Sequence, residues 1–153
     1  MVSHLQTISY NLHLMVLLKK QLRVKSSGIP GSGKGLYTRV AIQKGTHVVE
    51  YKGKVTDWKH VNHKNGRNPY IFYVTRNYVI DAQSYPSALA RYANDARGLT
   101  KSSKLINNCI YETQGKKVYI TAIKNIPAGS ELLVSYGKEY WDVIREYKKA
   151  GVL

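Results

Sequence analysis

The distribution of hydrophobic and polar residues changes near residue 24. From there on, the chain consists of short runs rich in β-branched and aromatic residues, separated by turn-forming Gly, Pro and Asn. Such runs favour strands, because these side chains pack well on a pleated surface. We predict strands over residues 35–40, 47–55, 70–74, 78–81, 109–113, 118–122 and 132–135. The pattern therefore predicts a mainly β fold with short helices, built from several small sheets.

Helix is predicted in two parts of this region. Residues 88–95 have room for one or two helical turns, and residues 139–149 are predicted to form a terminal helix. Residues 1–22 have apolar positions at mixed spacing and then a basic end, which indicates a short helix or an N-terminal strand. We therefore divide the chain into an N-terminal appendage (1–23), a main domain (24–142) and a C-terminal helix or tail (143–153).

Composition narrows the kinds of site that the chain can build. Its 153 residues are 43% hydrophobic, which suffices for the core of one domain. Cys109 is the only cysteine, so the chain can form neither an internal disulfide nor a Cys-rich structural zinc site. The five histidines all lie in the first half, so His-dependent chemistry would have to be built there. We predict a site without metal ligands.

The charge is strongly positive, at +15 from 24 Lys and Arg against nine Asp and Glu. Such an excess attracts polyanions, so we expect non-specific DNA contact; the alternative is that the lysines only solubilise the domain. No run approaches the roughly 18 apolar residues that cross a membrane, and residues 12–18 lack the basic start of a signal peptide. We expect an intracellular protein without membrane contact. The sequence leaves its oligomeric state open.

One motif suggests a nucleotide-binding function, but its sequence and its context do not fit. Residues 28–35 (GIPGSGKG) nearly match a phosphate-binding loop, but Gly35 stands where that loop needs Ser or Thr. Such a loop also joins a buried strand to a helix, whereas the segment after Gly35 favours strand. The sequence therefore argues against a nucleoside triphosphatase. The glycines still allow the backbone to approach a ligand closely.

Several motifs follow one another in an order typical of a single family. Residues 33–37 (GKGLY) carry a glycine pair and an aromatic residue, and residues 126–137 (IPAGSELLVSYG) run through Glu-Leu into Tyr-Gly. The blocks between them are residues 42–53, 78–82 (YVIDA), 91–94 (RYAN) and 107–111 (NNCIY). In this order, over residues 24 to about 142, they resemble the SET domain of protein lysine methyltransferases.

The resemblance implies both a fold and a reaction. The fold is a SET domain of small curved sheets, whose C-terminal segment threads beneath an earlier loop as a pseudoknot. The reaction moves a methyl group from S-adenosylmethionine to the ε-amine of a lysine in a protein substrate, with a histone or nucleosome as one candidate. Residues 24–142 would then be the catalytic domain, and the protein would work in the nucleus.

The resemblance also implies roles for individual residues. The hydroxyl of Tyr136 would lie beside the transferring methyl group and orient the amine, while Tyr51 and Tyr111 would line the lysine channel. Asn94 would hold the amino group of the cofactor, and Trp141 would cover its adenine ring. The full set predicted to bind the cofactor is Lys34, Gly35, Tyr37, Arg91, Tyr92, Asn94, Asp95, Asn108, Tyr136 and Trp141.

The chain departs from the family pattern at three places. Asp95 stands where the family usually has histidine, which changes the local charge and the donor pattern. Residues 96–107 form a longer link between the two asparagines than is common, so we expect an exposed loop. The cysteine cluster that closes the site in many members is missing. The helix that carries Tyr140 and Trp141 would close it instead, as in the compact members of the family.

Two other classes of function remain open at this stage. One is a catalytically inactive SET-like module that binds a partner, which Asp95 and the longer link would suit. The other is a basic nucleic-acid-binding domain, although the sequence has neither the paired aromatics of an RNA-binding sheet nor zinc-finger spacing. Binding of S-adenosylmethionine separates the enzyme from both.

Overall fold

A computed structural model describes residues 6, 14–16, 18–64, 67–98 and 104–152. Its elements are strands β1 (Leu22–Ser26), β2 (Lys34–Thr38), β3 (His47–Glu50), β4 (Lys54–Thr56), β5 (Ile71–Thr75), β6 (Tyr78–Asp81), β7 (Cys109–Gln114) and β8 (Lys117–Ala122), a short 3-10 helix (Leu89–Tyr92) and helix α1 (Lys138–Lys149). Within these ranges no helix is long and apolar enough to cross a membrane. The predicted mainly β fold with short helices is confirmed.

The strands form three small antiparallel sheets. β1 pairs with β2, β8 lies between β3 and β7, and β6 lies between β4 and β5. A tight turn closes the β7–β8 hairpin: Gly115 has a φ of 61°, and Gln114 pairs with Lys117. A two-residue hairpin turn needs such positive φ values, which glycine adopts without strain. The pairs β3–β8 and β4–β6, in contrast, join strands that are not consecutive in the chain.

One hydrophobic core joins the sheets. Its fully enclosed members include Leu36 on β2, Val48 on β3 and Ile120 on β8, together with Leu132 and Val134 from the segment before α1. Leu18 and Leu22, from the part of the chain that the sequence divides off as an appendage, also belong to this core. Residues 14–16 and 18–19 are helical, and β1 begins directly after them.

Most predicted strands are confirmed with ends shifted by one or two residues, and four regions differ. The predicted strand over 47–55 is two strands, because β3 pairs with β8 and β4 pairs with β6 in another sheet. At the break, Gly53 packs so closely that a Cβ there would lie 2.5 Å from the carbonyl oxygen of Asp81. Residues 132–135 form isolated bridges rather than a strand. β1 was missed, since its polar and basic residues conceal the alternation. The helix predicted over 88–95 is a single 3-10 turn at Leu89–Tyr92.

The segment over residues 131–136, here called the closing segment, connects distant parts of the chain. The amide of Leu132 donates to the carbonyl of Leu36 at 2.7 Å, and the amide of Val134 donates to that of Asn94 at 2.9 Å. The amide of Cys109 donates to the carbonyl of Leu133 at 2.9 Å. β2, the turn at Asn94 and the start of β7 thus meet along one strand-like path. Passage of this path beneath an earlier loop stays a prediction.

The glycine-rich stretch lies in the turn between β1 and β2. The amide of Ser27 donates to the carbonyl of Gly33 at 2.8 Å, which closes the loop, and the strand β2 follows directly. A phosphate-binding loop would lead into a helix whose N-terminus receives the phosphates. The structure therefore agrees with rejecting the triphosphatase motif.

Candidate active site

The two predicted asparagines lie on either side of the closing segment. The Asn94 amide nitrogen donates to the carbonyl of Lys34 at 2.9 Å, which ties the first asparagine to the start of β2. The Asn108 side chain donates to the carbonyl of Glu131 at 2.8 Å and accepts from the amide of Leu133 at 2.9 Å. Asn94 thus faces the glycine loop, and Asn108 binds the main chain of the closing segment through both its donor and its acceptor.

Glu131 is buried beneath the glycine loop, with 7% of its surface exposed. Its carboxylate accepts from the Ser27 hydroxyl at 2.7 Å and from the Gly28 amide at 2.9 Å. The Tyr37 hydroxyl lies 3.1 Å from it and the Asn94 amide nitrogen 3.3 Å. Burial and the charge of the carboxylate raise the pKa of Tyr37. We call this group the Glu131 centre; it fixes the loop that the sequence predicts to bind the cofactor.

Glycine is required at Gly35 for a packing reason. A Cβ at this position would lie 2.1 Å from a carboxylate oxygen of Glu131 and 3.3 Å from the Cα of Ser27. The backbone of β2 therefore approaches the buried carboxylate as closely as a glycine allows. This close approach explains why the glycine pair and the later Glu-Leu motif occur together in one sequence.

The tyrosines that are predicted to line a lysine channel border a cavity of about 380 Å³, which is lined by aromatic rings. Tyr111 is central: its ring centroid lies 6.1 Å from that of Tyr51, 6.5 Å from that of Tyr136 and 4.9 Å from that of Phe72. The residues that line the cavity are Tyr51, Pro69, Ile71, Phe72, Tyr73, Arg91, Tyr111, Tyr136, Glu139 and Tyr140. The structure brings the three predicted catalytic tyrosines together.

The hydroxyl groups of two of these tyrosines are held by main-chain carbonyls. Tyr136 donates to the carbonyl of Ala93 at 2.5 Å, directly before the first asparagine, and Tyr51 donates to the carbonyl of Tyr70 at 2.9 Å. Each phenol proton is therefore committed to a fixed acceptor, and the lone pairs of each oxygen can accept a further hydrogen bond. The Tyr136 oxygen lies where the cavity meets the Asn94 turn.

Burial raises the pKa of the phenols around the cavity. It is the largest cause at Tyr51, Tyr111, Tyr136 and Tyr140, and the negative charge of Asp95 adds to it at Tyr111, Tyr136 and Tyr140. Because the neutral form is favoured, these phenols keep their protons throughout the physiological range. The cavity wall is therefore polar but uncharged at the tyrosines, and it contains no phenolate that could act as a base.

Asp95 forms a second buried carboxylate centre, with 4% of its surface exposed. One oxygen accepts from the Arg97 amide at 2.9 Å and from the Asn107 side chain at 2.8 Å. The other accepts from the Tyr136 amide at 2.8 Å and from the Trp141 indole nitrogen at 2.8 Å. We call this group the Asp95 centre. Its carboxylate is occupied by protein donors, so a cofactor contact at this position would fall to the backbone.

Arg91 and Tyr92 use their polar groups in the scaffold. Arg91 donates to the carbonyls of Ala82 at 2.8 Å and Gln83 at 2.9 Å, with its guanidinium 3.8 Å from the Tyr70 ring. Its Nε atom is buried without a hydrogen-bond partner among the described residues. The Tyr92 hydroxyl donates to the carbonyl of Pro86 at 2.9 Å. Arg91 also lines the aromatic cavity, whereas Tyr92 points its hydroxyl away from it toward Pro86.

Sequence reasoning missed three residues that organise the site: Ser27, Asn107 and Glu131. Glu131 had a signal, because it is part of the quoted Glu-Leu motif, whereas Asn107 was noted only as a replacement for proline. Residues 99–103 of the long link lie outside the described residues. In the part of the chain that is described, no cluster of three or more His, Cys, Asp or Glu side chains could hold a metal ion.

Two surface depressions share lining residues with the cavity. A groove of about 660 Å³ between α1 and β5 shares Ile71, Tyr73, Glu139 and Tyr140 with the cavity and continues to exposed Trp58 and Val143. A second depression of about 500 Å³ reaches Tyr51 from another side. Its four exposed lysines are Lys19, Lys52, Lys116 and Lys117.

The SET domain family matches residues 33–137, well over half of the chain. The chain therefore belongs to the SET-domain family, as the motifs predicted. The matched range begins at the glycine pair and ends at Gly137, directly after the predicted catalytic tyrosine.

Curated relatives carry the name of a lysine methyltransferase. N-lysine methyltransferase KMT5A-A of Danio rerio is 30% identical over 120 residues, which cover 71% of this chain and 33% of that protein. N-lysine methyltransferase KMT5A of Xenopus tropicalis is 31% identical over 130 residues, which cover 77% of this chain and 37% of that protein. The chain thus spans about a third of the length of the curated relatives it matches.

A solved structure gives an independent view of the fold. The methyltransferase domain of human PR domain-containing protein 2 superposes with a TM-score of 0.56, at 22% sequence identity. The match covers 82% of this chain and 83% of that domain. At this identity the likeness concerns the fold, which it supports over most of both chains.

Proposed function

We propose that this chain is an S-adenosylmethionine-dependent protein lysine N-methyltransferase. The observation that carries the proposal is the aromatic cavity, where three tyrosines converge and the Tyr136 hydroxyl is fixed against the carbonyl that precedes Asn94. A narrow aromatic channel suits an alkyl ammonium chain, whose methylenes pack against rings. The names of the relatives, which are N-lysine methyltransferases, support the same reaction.

The residues beside the cavity fit the proposed cofactor. Both side-chain hydrogen bonds of Asn94 use its nitrogen, so the side-chain oxygen remains as an acceptor for an amino group. Gly31 and Gly33 have φ values of 78° and 66°, and a Cβ at either would meet open space. The loop is therefore exposed backbone that a ligand can approach. Lys34, Gly35, Tyr37 and Asn108 border this region and would complete the methionine part of the site.

The chemistry assigned to the protein is alignment and desolvation. When bound, S-adenosylmethionine supplies an electrophilic methyl group next to a positive sulfonium. Tyr136, whose proton is held by Ala93, presents oxygen lone pairs that accept from the lysine amine and orient it. Holding two reactants in line can supply on the order of 7–11 kcal/mol of the barrier. The cavity also removes water from the amine, which favours its neutral, nucleophilic form.

The test is methyl transfer by the wild type and Tyr136→Phe, with cofactor binding measured separately by calorimetry. We expect kcat to fall about 100-fold, because the amine loses its orienting oxygen, while the cofactor still binds. Tyr119→Phe is the matched control, since that ring stacks on His47, with centroids 4.8 Å apart, and does not line the cavity. Wild-type protein that binds no cofactor would leave the inactive binding module as the better description.

The substrate in this proposal is a protein with an apolar side chain near its target lysine. The groove between α1 and β5 opens into the cavity and exposes Trp58, Tyr73 and Val143, at 43%, 53% and 50% of their surfaces. Contiguous exposed apolar surface of this kind is typical of interaction sites. A peptide lying there would bring its lysine to Tyr111 and Tyr136. A histone is one candidate.

The basic depression offers a place for the DNA of a nucleosome, which would put the protein in the nucleus. Its lysines face a single lining carboxylate, Glu50, which lies 3.6 Å from the Lys52 ammonium. We expect activity on nucleosomes to fall more steeply with salt than activity on a free peptide, because phosphate contacts release counterions. Lys116→Glu with Lys117→Glu should remove that difference, and Lys148→Glu with Lys149→Glu is the charge-matched control. A preference for free peptide at low salt would argue against DNA recruitment.

A further inference from the structure

Helix α1 is attached to the domain by few contacts. None of its residues is fully buried, although Tyr140 and Trp141 pack against the ring of Tyr136. The centroids of Trp141 and Tyr136 are 5.8 Å apart, with the ring planes inclined by 16°. A helix whose inner face is only half-buried gains less from the hydrophobic effect than a fully buried one, so its position depends more on the specific contacts that it makes.

The Asp95 centre supplies the one buried polar contact to this helix among the described residues. The indole nitrogen of Trp141 donates to the Asp95 carboxylate, and the same oxygen accepts from the main-chain amide of Tyr136. Hydrogen bonds to a charged acceptor are about twice as strong as those between neutral groups. One carboxylate oxygen therefore fixes both the backbone of Tyr136 and the aromatic ring that stacks on it.

Gly98 creates the space for this arrangement. A Cβ at Gly98 would lie 2.8 Å from Cη2 of Trp141, so only glycine leaves room for the indole beside Asp95. Gly98 has no positive φ, so the backbone itself does not demand glycine. The close approach of the Trp141 indole is therefore the reason for a glycine at position 98.

The number of donors explains why a carboxylate occupies this position. Four protein donors converge on Asp95, two on each oxygen. A carboxylate has about four lone-pair sites and no proton, whereas a neutral imidazole offers one acceptor nitrogen. Histidine, which the family usually has here, would leave three of the four donors without a partner.

We propose that Asp95 is a positioning residue, which fixes Tyr136 and holds α1 over the aromatic cavity through Trp141. The proposal rests on the proposed function for its catalytic consequence, but not for the attachment of the helix. Through these hydrogen bonds Asp95 holds α1 over the site, which a cysteine cluster closes in many members of the family. Asn107, the neighbour of Asn108 in the chain, belongs to the same centre: its side-chain nitrogen donates to Asp95, and its oxygen accepts from the Ala96 amide at 2.8 Å.

The helix position can be followed by fluorescence. Trp58 and Trp141 are the only tryptophans, so Trp58→Phe leaves Trp141 as the single reporter. In that background, Asp95→Asn places an NH₂ group opposite two donors, and Gly98→Ala pushes against the indole without touching Asp95. We expect both variants to red-shift the emission and to increase quenching by acrylamide. Asp142→Asn, the same change on the exposed face of α1, should do neither.

Methyl transfer is measured with the same substitutions made in the wild-type chain, because Trp58 lines the proposed peptide groove. Trp141→Phe, which keeps a ring over Tyr136 but loses the indole donor, is measured beside them. We expect kcat to fall about tenfold in Asp95→Asn and Gly98→Ala and less in Trp141→Phe, with KM for the peptide changing much less. Melting temperatures identify any variant that is unfolded. If Asp95→Asn is unfolded, the result for Gly98→Ala decides.

Unchanged emission in both folded variants would overturn the attachment, whatever the enzyme does. A displaced Trp141 with unchanged kcat would overturn the catalytic part. If the wild type transferred no methyl group at all, the proposed function would fail, and the fluorescence result would still decide whether Asp95 holds the helix.

Discussion

The two buried carboxylates of this chain are similar in burial and different in what they join. Glu131 takes donors from the loop between β1 and β2, from Tyr37 and from Asn94, all of them around the glycine pair. Asp95 takes two donors from the link that follows it, and two at the aromatic cavity, from the backbone of Tyr136 and from α1. The first belongs to a motif that the sequence shares with its family, and the second replaces the family's usual residue.

The comparison shows that the same kind of group, a buried and hydrogen-bonded carboxylate, serves two purposes in this chain. A buried carboxylate that is fully hydrogen-bonded fixes several chain segments at once, whereas a partly satisfied one would destabilise the fold. At Glu131 the fixed segments form the loop that would receive the cofactor. At Asp95 they are the groups that would orient the lysine. Loss of Glu131 should therefore appear mainly in stability, and loss of Asp95 mainly in turnover.

The largest expected effect is that of Glu131→Ala on stability. The half-buried Ser27 hydroxyl and the Gly28 amide would both lose a charged acceptor, so we expect the free energy of unfolding to fall by roughly 3 kcal/mol. Urea denaturation followed by circular dichroism measures this loss. If Glu131→Ala cost no more than Asp142→Asn, the Glu131 centre would not be a structural centre.

Gly35→Ala should have the next largest effect. Its Cβ would meet a Glu131 oxygen at 2.1 Å, so either the carboxylate or β2 must move, at a cost of about 1–3 kcal/mol. Combined with Glu131→Ala the same substitution should cost much less, because the obstructing oxygen is gone. Thermal denaturation of the two single variants and the double variant gives this coupling. Additive losses would mean that the two residues do not contact each other as described.

The smallest effect is that of one phenol of the aromatic cavity on stability at alkaline pH. Four phenols around the cavity have a raised pKa, so below pH 10.0, the ordinary value for tyrosine, they contribute no pH dependence. Above it the unfolded chain loses protons first, and stability should fall as pH rises. The buried Tyr51 alone contributes about 1.4 kcal/mol per pH unit. Denaturation between pH 8 and 11, with Tyr51→Phe as the control, measures the slope; a slope that Tyr51→Phe leaves unchanged would contradict the assignment.

Much of the fold could be predicted from short-range patterns. The strand Tyr78–Asp81 has the predicted ends, and β7 and β8 extend their predictions by one residue each. These strands alternate clearly and end at turn residues. Residues 47–55 could not be divided in advance, because the break at Gly53 comes from contact with Asp81 in another strand. The closing segment could not be recognised as irregular, because its partners lie far away in sequence.

The candidate site was predictable in its members and not in its contacts. Tyr51, Tyr111 and Tyr136 were chosen by motif, and their rings do lie together around one cavity. Nothing local indicated that the Tyr136 hydroxyl would donate to Ala93, or that Trp141 would stack on its ring. Asp95 was seen as a departure from the family, whereas its four donors come from residues up to 46 positions away.

The sequence by itself determined the class of fold, the order of the motifs and the residue types around the site, because strand periodicity, turn chemistry and short motifs act over a few residues. Only the tertiary structure decided which carboxylate holds which segments, that Gly35 and Gly98 must lack a side chain, and that the indole of Trp141 on α1 is hydrogen-bonded to Asp95. Such contacts depend on distances between groups that lie far apart along the chain, and no local pattern contains those distances.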